Sequence, residues 1–340
     1  MTAKSFAVLL RCDAGGSYGL GHAMRCVTLA RAFKAAGGVP QFVVQPGSPE
    51  GFAFIAAQGM PVTVSPARAG DPQDVAFIQA RLGESGRGTV LVLDSRDIAS
   101  GQGAAYCAGA VTMVIYDEVP RDIACDILLN YHPWIGPGEY PPAASQQLLF
   151  GLDYNLVAED YFEGGERPAS RVFITMGGQD PRNDTRRIIE TCANLLSGHE
   201  VDVVVGPSHP DPESVAQAVA RHLAHGRVHR ATPGLAGMVK RAGLVLTAGG
   251  TTCYEIAAAR VPMAALPVEP HQETLVASLA GLGVLLRLDN GKERIDRSVV
   301  SRLLEDASLR ADMVARQRAL IAAPGAPRVV ERVCRLLAAG

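Results

Sequence analysis

Residues 6–36 read FAVLLRCDAGGSYGLGHAMRCVTLARAFKAA, and this stretch decides the fold. The apolar run Phe6–Leu10 predicts a strand, and Gly21–Ala36 has the pattern of a helix that ends at Gly37-Gly38. Four closely spaced glycines in the loop between them allow the backbone to approach a ligand. The stretch is typical of an open α/β sheet, in which ligands lie at the carboxyl ends of the strands.

Short apolar runs alternate with helical patterns along the rest of the chain, which favours parallel sheets covered on both faces. The alternation then pauses: Tyr131 to Tyr154 is rich in Pro, Gly and aromatic residues, and Gly164–Ser170 is a polar break, which together indicate the domain junction. It restarts with the predicted strand Arg171–Met176. We therefore predict an α/β protein of two tandem Rossmann-like, doubly wound domains, with a cleft between them. The predicted domains are residues 1–163 and residues 164–340, the second of which includes the C-terminal helices.

The composition narrows the possible partners and the compartment. Of the 340 residues, 48% are hydrophobic and 19% are charged, which indicates a globular protein with a substantial core. A net charge of −2 provides no general attraction for nucleic acid or an anionic membrane. The chain has no long uninterrupted apolar run, and its seven cysteines include no Cys-x-x-Cys pair. We expect a cytoplasmic protein with reduced thiols and no membrane partner.

His22 is the first candidate for catalysis, because it follows the glycine loop and lies in the first turn of the predicted helix. The helix dipole there disfavours the protonated ring, and a neutral imidazole can accept a proton from water. Asp13 is close enough in sequence to be a candidate for orienting the ring. Alternatively, His22 is a capping or surface residue, which is the commoner role of a lone histidine at a helix start.

Two further glycine turns follow predicted strands of the second half. Gly177-Gly178 precede a helix whose N–H groups are candidates for binding phosphate, although an ordinary strand–helix turn has the same pattern. Gly249-Gly250-Thr251-Thr252 predict a diphosphate cradle in which two threonines cap the next helix. Glu255, about one turn into that helix, is a candidate acceptor for ribose hydroxyls, or else a solvated helix carboxylate.

These motifs, in this order, resemble the hydrolases that cleave UDP-2,4-diacetamido-2,4,6-trideoxy-β-L-altropyranose in pseudaminic acid biosynthesis, which are relatives of the GT-B glycosyltransferases. The resemblance extends to about residue 285, and its most specific part is Arg11-x-Asp13 followed by Gly19-Leu20-Gly21-His22-x-x-Arg25. It implies a GT-B-like fold with His22 as the catalytic base. The positions that it implies for substrate binding are Arg11, Asp13, Gly19, Gly21, Arg25, Asp94, Asp117, Gly177, Gly178, Asp180, Gly249, Gly250, Thr251, Thr252, Glu255, His271, Gln272 and Glu273.

The chain departs from the family pattern at three positions that are expected to face the sugar or the interdomain region. His271 replaces a common Asn, Arg96 replaces the Tyr of an Asp-Ser-Tyr motif, and Ala158 replaces an Arg. These departures leave the nucleotide assignment intact and leave the identity of the sugar open.

The resemblance implies inverting hydrolysis of the anomeric C–O bond, which releases UDP and a free 6-deoxy diacetamido sugar for surface or flagellin glycosylation. No cofactor is implied, and no Asp-x-Asp triplet indicates a metal clamp. The expected partner is a small-molecule UDP-sugar, and we favour a monomer. Two alternatives stay open: a GT-B glycosyltransferase that uses the same base on an acceptor hydroxyl, and a nucleotide-sugar binding protein that needs no His22. The third motif with His271-Gln272 also resembles the N-acetylglucosaminyltransferase that builds the peptidoglycan lipid precursor.

Overall fold

The chain folds into two compact units, each with its own sheet. The computed structural model describes residues 5–85, 88–98, 102–107, 109–118, 123–139, 146–162, 170–230, 232, 234–290 and 294–339. Unit 1 comprises Met1–Val157 and Pro324–Gly340, and unit 2 comprises Ala158–Ala323.

Unit 1 is built on a parallel sheet of seven strands within the described ranges. The strands are β1 (Phe6–Cys12), β2 (Gly38–Val44), β3 (Val62–Val64), β4 (Val90–Asp94), β5 (Val111–Ile115), β6 (Ile127–Asn130) and β7 (Gln147–Phe150). The helices between them are α1 (Gly21–Ala35), α2 (Pro49–Ala57), α3 (Pro72–Ser85) and α4 (Gly103–Tyr106). The sheet order is β3-β2-β1-β4-β5-β6-β7. The direction of winding therefore reverses between β1 and β4.

Unit 2 repeats this plan with a parallel sheet of six described strands. The strands are β8 (Arg171–Thr175), β9 (Glu200–Val205), β10 (Gly226–Arg230), β11 (Leu244–Ala248), β12 (Met263–Leu266) and β13 (Leu286–Arg287). The helices are α5 (Asp184–Leu196), α6 (Pro212–His222), α7 (Ala236–Arg241), α8 (Thr252–Ala258), α9 (Glu273–Gly281), α10 (Arg297–Glu305) and α11 (Ala307–Leu320). The order β10-β9-β8-β11-β12-β13 places the reversal between β8 and β11.

Single 3₁₀ turns complete the described structure. They lie at Gly16–Tyr18, Pro137–Glu139, Leu152–Tyr154, Glu159–Tyr161 and Pro270–Gln272. Within the described ranges, none of the helices combines the length and the apolar character that a membrane span requires.

Burial explains why the sequence forms these layers. Every residue of β4 and of β11 is buried, as expected for central strands that are covered on both faces. Helix α1 buries Ala23, Cys26, Ala30 and Phe33, whose spacing of three or four residues forms one face of a helix. The predicted architecture of two doubly wound α/β units is thus confirmed.

The last helix, α12 (Ala326–Ala339), packs against α1 and belongs to unit 1. It buries Val329, Val330 and Val333, which form an apolar stripe along one face. The structure therefore differs from the predicted division, which assigned all of residues 164–340 to the second domain. The prediction assigned α12 to the second domain because it follows that domain along the chain. In the folded protein its apolar face packs against α1 of unit 1.

The chain leaves unit 1 after Val157 and returns to it at Pro324. A Cβ atom on Gly325 would lie 2.3 Å from the backbone nitrogen of Asn155, so the outgoing and returning segments touch and glycine is required at the contact. The predicted junction stretch from Tyr131 to Tyr154 contains a strand, β7, and residues 164–169 of the predicted polar break lie outside the described residues.

Candidate active site

A candidate catalytic site lies in unit 1 where the winding of its sheet reverses, at the carboxyl ends of β1 and β4. Cys12 lies opposite Asp94 in the register of these strands, and the Asp13 N–H donates to the Asp94 carbonyl oxygen at 3.0 Å. Gly15 and Gly19 in the following loop have backbone φ angles of +71° and +67°, which residues other than glycine rarely adopt. The glycines thus allow the loop to turn back and start α1 at this edge.

Asp94 holds the ring of His22. The Nδ1 atom of His22 lies 2.7 Å from Oδ1 of Asp94, the carboxylate is fully buried, and the imidazole is 6% exposed. Because His22 is the second residue of α1, the start of the helix fixes its position over the end of β4. The capping or surface role considered for His22 does not fit this burial and pairing.

Arg25, one helical turn after His22, binds the same carboxylate. Its Nε donates to Oδ2 of Asp94 at 2.7 Å, and its Nη1 donates to Oδ1 of Asp117 at 2.7 Å. Burial raises the pKa of Asp94, but the charges of Arg25 and His22 outweigh it and lower the pKa to about 2. Burial also raises the pKa of Asp117, and Arg25 and His132 reverse this effect and hold the pKa well below its ordinary value. Both carboxylates are therefore ionised at neutral pH.

The contacts of Nδ1 determine the tautomer of His22. Nη2 of Arg25 lies 3.1 Å from Nδ1, but a guanidinium only donates, so Nδ1 would have to accept from it. The Asp94 carboxylate only accepts, and it is closer, at 2.7 Å. Nδ1 therefore carries the proton, and Nε2 is left as the basic nitrogen.

Asp13 does not orient His22, contrary to the sequence-based prediction. Its Oδ2 accepts the Arg96 N–H at 3.0 Å, and burial raises its pKa. The sequence offered Asp13 because it is near His22 along the chain, whereas β4 places Asp94 beside the ring. Asp94 could have been recognised from the order of strands in a doubly wound sheet. In such a sheet β4 pairs with β1, so the carboxylate at the end of β4 lies next to the loop after β1.

Arg11 also differs from its predicted role in substrate binding. Its side chain is fully buried, and its Nε donates to Oδ1 of Asp74 at 2.9 Å. Tyr106 donates to the other oxygen of Asp74 at 2.6 Å. Arg11 therefore anchors the end of β1 to α3 rather than presenting its guanidinium to a ligand.

His132 is a residue of this site that sequence reasoning missed. Its Nε2 lies 3.2 Å from Oδ1 of Asp117, and its ring stacks on that of Trp134 with centroids 4.4 Å apart. Both residues follow β6, whose carboxyl end lies on the same edge of the sheet as those of β4 and β5. The sequence signal for His132 was its position directly after a buried strand, where site residues of α/β sheets lie.

A separate candidate binding site lies in unit 2 where the winding of its sheet reverses, after β8 and β11. Gly177 and Gly178 follow β8, and Gly249 and Gly250 follow β11, so these predicted glycine turns belong to neighbouring strands. Gly249 has no room for a side chain, since a Cβ atom would lie 2.3 Å from Cγ2 of Val276. Gly177 has a φ of +79°.

Two polar residues of these turns have structural roles. Asp180 is buried, and its carboxylate accepts the N–H groups of Asp184 at 2.7 Å and Thr185 at 2.9 Å, so it holds the start of α5. Its predicted contact with substrate does not fit these bonds. Thr251, at the N-cap of α8, makes no capping hydrogen bond through its side chain, so the prediction of two capping threonines is wrong at this position.

Glu255 is buried beside this turn, which excludes the alternative of a solvated helix carboxylate. Burial raises its pKa to about 7, and the hydroxyls of Tyr161 and Thr252 donate to it and partly oppose this effect. Its Oε2 atom is buried and has no hydrogen-bond partner among the described residues. A buried acceptor without a partner is costly unless a ligand supplies a donor.

The 3₁₀ turn after β12 and the first residue of α9 contain His271, Gln272 and Glu273, which the resemblance assigns to the sugar. Oε1 of Gln272 accepts the Val268 N–H at 3.0 Å, which closes the loop on itself. Glu273 forms a bidentate ion pair with Arg287 of β13, and this contact lowers the pKa of Glu273. Its carboxylate is thus held at the start of α9 by β13, and its predicted role of facing the sugar stays a prediction.

The two units, each wound in the same order with a glycine turn at its switch point, define a protein of the GT-B glycosyltransferase fold. MurG of Acinetobacter baumannii has a similar structure, with a TM-score of 0.66 and 15% identity over 97% of this chain and 99% of that chain. The glycosyltransferase VinC in complex with dTDP also has a TM-score of 0.66, with 17% identity over 98% of this chain and all of that chain.

A relative is also found by sequence. The spore coat polysaccharide biosynthesis protein SpsG of Bacillus subtilis (strain 168) is 23% identical over 187 residues, which are 54% of this chain and 54% of that protein. The similarity thus spans about half the length of this curated relative. No protein-family model matches the chain.

Proposed function

We propose that this protein cleaves the anomeric C–O bond of a nucleoside diphosphate sugar by glycosyl transfer, with His22 as the base. The observation that carries the proposal is the 2.7 Å contact between Nδ1 of His22 and the buried Asp94 carboxylate. It leaves Nε2 as a proton acceptor at the switch point of unit 1. The GT-B fold supports a nucleotide-sugar donor.

In the proposed reaction, Nε2 of His22 removes the proton from an acceptor oxygen as that oxygen attacks the anomeric carbon. The C–O bond to the diphosphate breaks, the nucleoside diphosphate leaves with the electron pair, and the configuration at the anomeric carbon inverts. Asp94 stabilises the imidazolium that forms, in the way that a buried carboxylate does in a catalytic triad. Base catalysis of this kind contributes about 10²–10⁴-fold to the rate.

The diphosphate belongs, in this proposal, to unit 2. The turns at Gly177-Gly178 and Gly249-Gly250 end neighbouring strands at the switch point of the sheet, where α/β proteins bind nucleotides. Backbone N–H groups there are suited to hold the charge that develops on the leaving group. Oε2 of Glu255, which has no partner in the part of the chain that the structure describes, is the acceptor for ribose.

An acceptor hydroxyl is the first candidate for the attacking oxygen, because the similar structure VinC is a glycosyltransferase and the relative by sequence is named for polysaccharide biosynthesis. Water is the second candidate. It is favoured by the motif from Arg11 to Arg25, which resembles the hydrolases of UDP-2,4-diacetamido sugars. The choice of UDP rests on the same resemblance. The monomeric state and the absence of a cofactor stay predictions.

The test is to incubate the protein with a panel of UDP- and dTDP-sugars and to measure release of the nucleoside diphosphate, with proton NMR to identify the first-formed anomer. A hydrolase releases the nucleotide without an added acceptor, whereas a transferase does so only with one. His22→Ala should lower the rate at least about 100-fold. A matched control is His229→Ala, which removes the histidine of a second His–Asp pair, 2.8 Å from Asp202 in unit 2.

Two outcomes would contradict the proposal. An unchanged rate in His22→Ala would show that another group is the base. Binding of nucleotide sugars without any release, with every acceptor tried, would instead identify a binding protein.

A further inference from the structure

We propose that Tyr161 is a positioning residue for the nucleotide, which aims the carboxylate of Glu255 at the ribose hydroxyls. The inference rests on the proposed function, since it assumes that unit 2 binds a nucleoside diphosphate. It adds a residue that no motif of the sequence indicated, and it assigns to that residue the recognition of ribose.

The contacts of the Tyr161 hydroxyl fix the direction of its hydrogen bonds. Tyr161 ends the 3₁₀ turn Glu159–Tyr161 and is 3% exposed. Its hydroxyl contacts the backbone N–H of Leu235 and the carboxylate of Glu255. An N–H group only donates, so the hydroxyl oxygen accepts from Leu235 and its single proton is donated to Glu255.

This arrangement leaves one oxygen of the carboxylate for a ligand. The hydroxyls of Tyr161 and Thr252 both donate to Glu255, whereas Oε2 is buried and has no partner among the described residues. A buried carboxylate oxygen in this state calls for an O–H or N–H donor. Glu255 lies in α8, directly after the Gly249-Gly250 turn, and a ribose attached to a diphosphate there presents two hydroxyl donors.

The groups that face Glu255 make ribose binding dependent on pH. From the turn, Tyr161 donates to the carboxylate and lowers its pKa, whereas the charge of Asp160 raises it. From α8, Thr252 also donates, and the Cys253 thiol faces the same charge. Burial is the largest influence and raises the pKa of Glu255 to about 7. Loss of the Tyr161 hydroxyl should raise it further.

The experiment is calorimetric titration at pH 8 of the wild type and of Tyr161→Phe with UDP and with 2′,3′-dideoxy-UDP, which lacks both ribose hydroxyls. Hydrogen bonds to a charged group predict that the wild type binds UDP at least about 10-fold more tightly than the dideoxy analogue. Tyr161→Phe should reduce this ratio about fivefold, the effect of one hydrogen bond, and leave the affinity for the analogue unchanged. Tyr106→Phe is the matched control, since it removes a buried hydroxyl in unit 1.

The same titrations between pH 6 and pH 9 supply a readout that a purely structural role would not change. In the wild type the UDP preference should fall as the pH falls through about 7, because Glu255 becomes protonated. In Tyr161→Phe the midpoint should move to higher pH. Should Tyr161→Phe fail to fold, Tyr161→Gln, which keeps a donor in the same place, should retain more of the preference than Tyr161→Leu.

The outcomes separate the two proposals. Equal weakening of UDP and its analogue in Tyr161→Phe, or an unshifted midpoint, overturns the role of Tyr161 while UDP binding stands. A wild type that binds neither nucleotide overturns the proposed function and this inference with it.

Discussion

Replacement of Asp94 by Asn tests the candidate active site most directly. The carboxylate accepts hydrogen bonds from His22, from Arg25 and from the Cys26 thiol, the last at 3.3 Å. An amide of the same shape has one accepting oxygen, and its NH₂ group must face one of these donors. Where it faces Nδ1 of His22, it forces the proton onto Nε2, and the ring can no longer act as a base.

The expected effects on rate and stability differ in origin. Loss of the correct tautomer should lower kcat by about 10²–10⁴-fold, the usual contribution of a general base. The carboxylate also stabilises the fold, because its pKa falls from 3.8 to about 2 on folding. At about 1.4 kcal/mol per unit of pKa difference, this corresponds to about 2–3 kcal/mol of unfolding free energy at neutral pH.

The sign of the pH dependence follows from the lowered pKa. The stabilisation is fully present above pH 3.8 and is lost as the pH falls through about 2, because the unfolded state then binds the proton first. Urea denaturation should therefore show that Asp94→Asn is less stable than the wild type by about 2–3 kcal/mol at pH 7, and this difference should close near pH 2.

A matched control separates the site from general effects of losing a carboxylate. Asp202→Asn breaks a His–Asp pair of unit 2, in which Oδ1 of Asp202 lies 2.8 Å from Nε2 of His229, and it should leave nucleotide release unchanged. A folded Asp94→Asn protein that loses less than about 10-fold in kcat would refute the assignment of Asp94 and His22 as a pair that acts together.

Three further predictions address other parts of the molecule. Treatment with EDTA should leave nucleotide release unchanged, and a strict requirement for Mg²⁺ or Mn²⁺ would contradict the metal-independent mechanism. Glu255→Gln should raise the unfolding free energy at pH 8 by about 3 kcal/mol and have little effect at pH 4. Folding raises the pKa of Glu255 from 4.5 to about 7, so the stability that the protonated carboxyl contributes is lost as the pH rises. Equal stability of variant and wild type in urea at pH 8 would argue against burial as the cause of the raised pKa. Val333→Ala should lower the unfolding free energy by about 2 kcal/mol through a cavity between α12 and the rest of unit 1, and a loss below about 0.5 kcal/mol would show that α12 does not contribute to that core.

The fold followed from the sequence more completely than the site did. Continuous apolar strands such as β4 and β11 and the glycine turns after β1, β8 and β11 carry local signals of a doubly wound sheet. The partner of α12 carries no such signal, because an amphipathic helix shows which face is buried and not what covers it.

The candidate site shows the same limit. His22 and Glu255 are recognisable from their places after glycine turns. The partners that tune them, Asp94 and Tyr161, are 72 and 94 residues away along the chain and come close only through sheet pairing and helix packing. Conversely, Arg11 and Asp180 belong to conspicuous motifs, and their hydrogen bonds to Asp74 and to the start of α5 become visible only in the folded protein.

The contact of Gly325 with Asn155 has a consequence for the order in which the protein is completed during synthesis. Unit 2 is a continuous segment, whereas unit 1 lacks α12 until residues 326–339 have been synthesised. Domains generally fold as they emerge, with the N-terminal one first. Here unit 1 is the later of the two units to be completed. A premature stop within residues 324–340 therefore removes part of unit 1, which holds His22, and leaves unit 2 complete.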